Sequence, residues 1–109
     1  MKFVSALKLN ELISREPDIQ IVDIREKEEF DIAHIKGSTN VPRLEIEQNT
    51  DKFSRDKSIA IICRFGTKSS GVARKFIEAG FPAHKVYILD EGILSWAIEV
   101  DPSMPAHLL

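Results

Sequence analysis

The chain has 109 residues, enough for one domain with a single core, and its apolar (43%) and charged (29%) fractions are those of an ordinary soluble globule. A net charge of -2 supplies no basic face for nucleic acid or anionic lipid, and the few scattered aromatics supply no stacking platform for single strands. No apolar run approaches the length that crosses a bilayer, Met1 to Lys8 lacks a signal-peptide core, and the one cysteine has no partner for an internal disulfide, so the expectation is a cytoplasmic single domain over residues 1–109 with neither nucleic-acid nor membrane partners.

In chain order, Ser5 is placed to cap a first helix whose apolar positions Ala6, Leu9, Leu12 and Ile13 share one face, and Pro17-Asp18 stops it. Ile19 to Ile24 is rich in β-branched residues and reads as a buried strand, with Asp23 near its carboxyl end. Glu26 to Phe30 predicts a short, mostly solvated helical turn anchored inward by Phe30 and Ile32, whose charges are ordinary surface. Gly37 ends that connection, and Thr39-Asn40-Val41 is extended because the residue before Pro42 avoids the helical region. Leu44 and Ile46 allow a weak helix, and Gln48 to Lys57 is a loop held by Phe53.

Ser58 to Ile62 is the most apolar strand of the chain. Val72, Ala73, Phe76 and Ile77 give helical spacing from Ser70 to Ala79, with Gly80 as its C-terminal cap. Val86 to Leu89 adds a strand, Ile93, Leu94, Trp96 and Ala97 a last amphipathic helix, and Pro102 and Pro105 mark an irregular tail. Buried strands that alternate with helices predict an α/β fold with a central, mostly parallel sheet covered by helices on both faces. Ligands of such sheets bind beyond the strand carboxyl ends, where Cys63 stands and where Asp23 and Arg25 end a neighbouring strand.

Cys63 lies between the apolar run Ser58-Ile59-Ala60-Ile61-Ile62 and the polar stretch Arg64-Phe65-Gly66-Thr67-Lys68-Ser69-Ser70. A strand that empties into a short loop and then a helix aims backbone N–H groups at one point, a concavity suited to anions. With Arg64 and Lys68 close by, sulfur there is stabilised as a thiolate ready to attack. A lone cysteine at a strand end is also a common small core residue. The cationic, hydroxyl-rich loop favours the reactive reading, because a structural thiol has no use for it.

The stretch Cys63-Arg64-Phe65-Gly66-Thr67-Lys68-Ser69 resembles the active-site loop of rhodanese domains, sulfurtransferases that carry sulfur as a cysteine persulfide. Ile21-Val22-Asp23-Ile24-Arg25-Glu26, Glu29-Phe30, and Ala33-His34-Ile35-Lys36-Gly37-Ser38-Thr39-Asn40-Val41-Pro42 are similar to the family's first signature in order and spacing. Ala79-Gly80-Phe81, Val86-Tyr87-Ile88-Leu89, and Glu91-Gly92 with Trp96 resemble its closing segments, so the likeness covers nearly the whole chain. Three positions depart from it. Lys68 stands where an arginine often closes the loop, Glu91 where many members have a first glycine, and Lys36 where a proline is usual. The first exchanges a planar bidentate donor for a point charge, and the other two look tolerable on surface turns.

The resemblance implies a cycle in which Cys63 takes sulfane sulfur from an anionic donor such as thiosulfate and passes it to cyanide or a thiol, with a protein acceptor as a further partner. Backbone donors from Arg64 to Ser69 would surround the outer sulfur, and Arg64 and Lys68 would attract the donor, unless Arg64 serves solubility alone. Gly66 lets the loop turn, Thr67 and Ser69 offer hydroxyl donors, Ser69 or Ser70 can cap the following helix, and Phe65 lines the mouth, meets a partner, or packs beneath the loop. Asp23 and Arg25 brace the site by hydrogen bonds and an ion pair, and His34 fixes a turn. No cofactor is expected, and no Cys or His spacing supports a metal site. A cysteine phosphatase needs a loop one residue longer that ends in arginine, where Ser69 stands, and Gly66-Thr67-Lys68-Ser69 lacks the earlier glycine and the Gly-Lys step of a nucleotide-binding loop. The other readings to weigh are a non-catalytic sulfur-carrier or protein-interaction module, and an exposed redox-sensing thiol.

Overall fold

The β-branched runs of the chain pair side by side in one five-stranded sheet in which every pairing is parallel. A computed structural model describes residues 1–109, the side chain of Leu108 excepted. The order of elements is β1 (Lys2–Val4), α1 (Ala6–Arg15), β2 (Gln20–Asp23), α2 (Lys27–Ile32), β3 (Thr39–Asn40), β4 (Ile59–Ile62), α3 (Ser69–Glu78), β5 (Val86–Leu89) and α4 (Gly92–Glu99). Across the sheet the strands run β1-β5-β4-β2-β3, with β4 between the two longest neighbours. The α/β architecture with a parallel sheet is as the sequence predicts, and no helix is long and apolar enough to cross a membrane among the described residues.

Alternation along β4 decides which side chain faces which layer. Ala60 and Ile62 join Leu9 and Leu12 of α1 and Ile93, Trp96 and Ala97 of α4 in one core. Ile59, Ile61 and Cys63 join Val72, Ala73 and Phe76 of α3 in the other. Phe76 is the hub of that second core, edge-on to Phe53 and Phe81 at ring-centroid distances of 5.7 and 5.1 Å. Each fully buried side chain of this size contributes about 1.5–3 kcal/mol.

Local signals explain the helix limits. The Ser5 hydroxyl accepts from the Lys8 amide at 3.1 Å, so the first helix starts as expected. At the far end of α3 the Gly80 amide donates to Ile77 O and the Phe81 amide to Phe76 O, both at 3.0 Å, a Schellman closure that places Phe81 back in the core. Lys68 occupies the N-cap position of α3 without a side-chain bond, so neither Ser69 nor Ser70 caps it.

Two expectations change. No strand is legible at Lys2–Val4, and it exists because β5 pairs with it, Lys2 opposite Tyr87 and Val4 opposite Leu89. Ile32 does not anchor α2: that six-residue helix buries no side chain, Ile32 is 51% exposed, and the next turn is held instead by buried Ile35. Phe30 is half-buried and stacks on His34 with ring centroids 3.8 Å apart, while His34 Nδ1 donates to the Phe30 carbonyl at 2.7 Å and fixes the turn.

Candidate active site

The order of strands reverses between β2 and β4. The chain moves outward from β2 to β3, then returns to lay β4 on the other side of β2 and β5 beyond it. Such a switch point leaves a crevice at the strand carboxyl ends, where no crossover covers it. The register sets Asp23 of β2 beside Ile62 of β4, so the residues that follow each strand, Ile24-Arg25 and Cys63-Arg64, emerge together.

On the β2 side the chain is staked down by a dense set of bonds. Asp23 Oδ1 accepts from the Arg25 backbone amide and from Arg25 Nε, each at 3.0 Å, and Oδ2 accepts from Arg25 Nη2 at 2.8 Å. The same Nη2 donates to the Ala33 carbonyl at 2.6 Å, tying the turn after α2 to this pair. Both side chains are almost fully buried, and the pair lies at the wall of the crevice, while Arg25 Nη1 has no partner among the described residues. Asn40 Nδ2 donates to the Asp23 and Arg25 carbonyls at 3.0 and 2.9 Å, and the Arg43 amide donates to Ile24 O at 3.0 Å. These last bonds carry Arg43 to the crevice.

On the β4 side, Cys63 is 4% exposed and continues the inward alternation of Ile59 and Ile61. Its Sγ accepts a hydrogen bond from the Gly66 amide at 2.8 Å, the one loop amide bonded to sulfur among the described residues. Gly66 supplies it from φ +83°, a left-handed conformation, and a Cβ there would lie 3.0 Å from the Glu91 nitrogen. The loop therefore rests on the β5–α4 turn. From that turn the Ile93 amide donates to the Cys63 carbonyl at 2.8 Å, and Gly92, at φ +67°, abuts the Cys63 and Arg64 carbonyl groups.

A cleft of about 160 Å³ opens above the sulfur, lined by Ile24, Arg25, Glu26, Glu29, Arg43, Cys63, Arg64 and Lys68. Of the sequence-derived candidates it gathers Cys63, Arg64, Lys68 and Arg25, with Asp23 behind Arg25. Arg64 is not free: Nη2 donates to the Leu109 carbonyl at 2.6 Å, Nη1 lies 3.7 Å from Glu29 Oε2, and the guanidinium sits 5.2 Å from the Phe65 ring centroid. Phe65, 54% exposed, faces a neighbouring groove with Glu91, Leu94, Ser95 and Ile98, which excludes packing beneath the loop. Thr67 is exposed, and Ser69 is fully buried at the start of α3 with its hydroxyl unpartnered among the described residues. Neither lines the cleft.

Sequence reasoning does not reach Arg43, and it reads the charges of Glu26 and Glu29 as plain surface. Glu29 is instead a partly buried wall of the cleft, its Oε1 accepting from the Glu26 amide at 3.3 Å. The signal for Arg43 was its place directly after Pro42, where an extended segment must end beside β2. The thiol itself is buried at the cleft floor, not exposed as a sensor reading assumes. On the outer face of α2 the Asp31 carboxylate, 2.6 Å from Lys27 Nζ, raises the Lys27 pKa above its ordinary value without bearing on the cleft.

A parallel α/β sheet with one cysteine in a cation-lined crevice at its switch point defines a class of small domains built around a cysteine loop. The chain belongs to the rhodanese-like domain family, whose model matches residues 5–99. It is 33% identical over 95 residues to the thiosulfate sulfurtransferase GlpE of Pseudoalteromonas translucida, an alignment covering 87% of this chain and 88% of that one. It is 30% identical over 93 residues to YrkF of Bacillus subtilis, provisionally named a sulfur carrier protein, covering 85% of this chain and 49% of YrkF, so it spans about half of that relative. The crystal structure of a rhodanese-related protein from Thermoplasma volcanium superposes with a TM-score of 0.80 at 27% identity, covering 92% of this chain and 94% of the other.

Proposed function

We propose that the chain is a single-domain sulfurtransferase that moves sulfane sulfur from an anionic donor such as thiosulfate to a thiophilic acceptor, cyanide or a thiol, through a persulfide on Cys63. The observation that carries this reading is the Cys63 sulfur on the floor of a cationic cleft, with the Gly66 amide 2.8 Å away. In the loading step the Cys63 thiolate attacks the outer sulfur of thiosulfate, the sulfur–sulfur bond of the donor breaks, and sulfite leaves with the electron pair. The persulfide keeps one negative charge, which Gly66 and the loop backbone stabilise without delivering a proton. Lys68 attracts the donor and the departing sulfite, and Arg64 helps from its tethered position. Asp23 and Arg25 hold the strand end that forms the opposite wall.

In the return step a nucleophile attacks the outer sulfur and Cys63 thiolate is the leaving group, so ping-pong kinetics are expected. A lone thiol with no partner for an internal disulfide suits a cytoplasmic setting. The protein incubated with thiosulfate and weighed intact gains one sulfur atom on Cys63, and Cys63→Ser stays folded and gains none. A folded, reduced protein that never takes up sulfur would end this reading.

The second reading, a sulfur-carrier or interaction module without turnover of its own, is favoured by the apolar groove of Phe65, Leu94 and Ile98 beside the loop. It expects loading without release until a protein acceptor is added, whereas multiple turnovers with small acceptors alone count against it.

A further inference from the structure

The Cys63 cleft is lined by both signs of charge. The side chains of Arg43 and Lys68 have no hydrogen-bond or ion-pair partner among the described residues, and Arg25 Nη1, in the same wall, is likewise unpartnered although its residue is 4% exposed. Two carboxylates, Glu26 and Glu29, line the same space: they meet each other's backbone amides in a reciprocal capping box at the start of α2, and Glu29 Oε2 also lies 3.7 Å from Arg64, so their negative charge is held at the cleft wall. In a site that served an inorganic dianion alone, both carboxylates would oppose binding by like-charge repulsion. They fit a ligand that brings a positive group as well as a negative one. The cleft, about 160 Å³ against the ~300–1,000 Å³ of drug-sized sites, also limits that ligand to a small molecule or the tip of a larger one.

We propose that the sulfur acceptor is a thiol that bears both an ammonium and a carboxylate close to its sulfur, an α-amino-acid thiol. Its carboxylate lies toward Arg43 and Lys68, and its ammonium toward Glu26 and Glu29. The inference rests on the persulfide reading above and names the acceptor for it. The acceptor gives up its thiol proton to solvent and, as thiolate, attacks the outer sulfur of the Cys63 persulfide. The bond between Sγ and the outer sulfur breaks, its electron pair stays on Cys63, and the acceptor leaves as its own persulfide anion. No external oxidant or reductant is consumed.

The test uses wild-type protein loaded with thiosulfate, with the persulfide verified by intact mass. Single-turnover unloading is then followed against concentration for L-cysteine, cysteamine, 3-mercaptopropionate and 2-mercaptoethanol, compared at equal thiolate. L-cysteine half-saturates at a concentration about tenfold below 2-mercaptoethanol, and the two singly charged thiols fall between them. Glu29→Gln raises the half-saturating concentration of cysteamine relative to that of 3-mercaptopropionate by about threefold to fivefold, and Arg43→Gln shifts the same ratio the other way. A purely structural role for either residue moves both thiols together and leaves the ratio unchanged. Equal half-saturation for all four thiols, or variants that do not split the charged pair, overturns the proposal while leaving the persulfide intact. Failure of Cys63 to load removes the persulfide reading and this proposal with it.

Discussion

Gly92→Ala tests whether the β5–α4 turn holds the sulfur loop in place. Gly92 has φ +67°, where an alanine costs about 1–2 kcal/mol for its left-handed backbone. The new Cβ would also lie 2.6 Å from the Cys63 carbonyl oxygen, and closer still to the Arg64 carbonyl group, where both neighbours are backbone and cannot swing aside. Overpacking of that kind adds about 1–3 kcal/mol, so the variant loses about 2–5 kcal/mol of a total near 5–15 kcal/mol. For a domain of this size that lowers the melting temperature by at least about 8 °C. Relief requires the loop to move off the turn, which stretches the 2.8 Å bond from the Ile93 amide to Cys63 O and disturbs the Gly66 donor. Circular-dichroism melting and the time course of thiosulfate loading by intact mass, run below the variant's melting point, report both effects. A variant that melts within about 2 °C of wild type, or one that melts lower yet loads sulfur at the wild-type rate, refutes the argument that this turn positions Cys63.

Asp23→Ala leaves the buried Arg25 guanidinium without its carboxylate and destabilises the fold by about 3–5 kcal/mol, read from urea unfolding with an unchanged m-value. An effect below about 1 kcal/mol would show that the pair is not a brace. Glu91→Gly relieves the one non-glycine residue in the left-handed region among the described residues, φ 61°, and raises stability by about 0.5–1 kcal/mol in the same assay. Lys68→Arg restores a planar donor at the loop end and raises kcat/KM for thiosulfate by about threefold to tenfold, while leaving the melting temperature within about 2 °C. An unchanged kcat/KM would place Lys68 outside the donor's path.

The parts of this protein that were legible in the sequence are those specified by local chemistry. Ser5 before an amphipathic run, Gly80 after one, and the continuous β-branched segments at Ile19 to Ile24 and Ser58 to Ile62 each state their own conformation, since cap, stop and burial pattern lie within a few residues. The sulfur loop was legible for the same reason, because strand, cysteine, glycine and helix follow one another without interruption. Lys2–Val4 was not legible: a strand of three residues has no pattern of its own until β5 offers it a partner. Ile32 misled because helical spacing predicts burial only when something packs against that face, and α2 has no such neighbour at Ile32.

From sequence alone came the parallel α/β architecture and the placement of Cys63 at a strand's carboxyl end. Only the tertiary structure decided who surrounds the sulfur. Arg43 reaches the cleft through a bond from its amide to Ile24 O, Glu29 enters it as a wall, Arg64 is drawn toward Leu109 and Glu29, and Ser69 turns away into the core. The physical reason is that a cysteine, its loop and its helix are contiguous in the chain, whereas the charges that line the cleft beside it come from segments joined only where the strand order reverses.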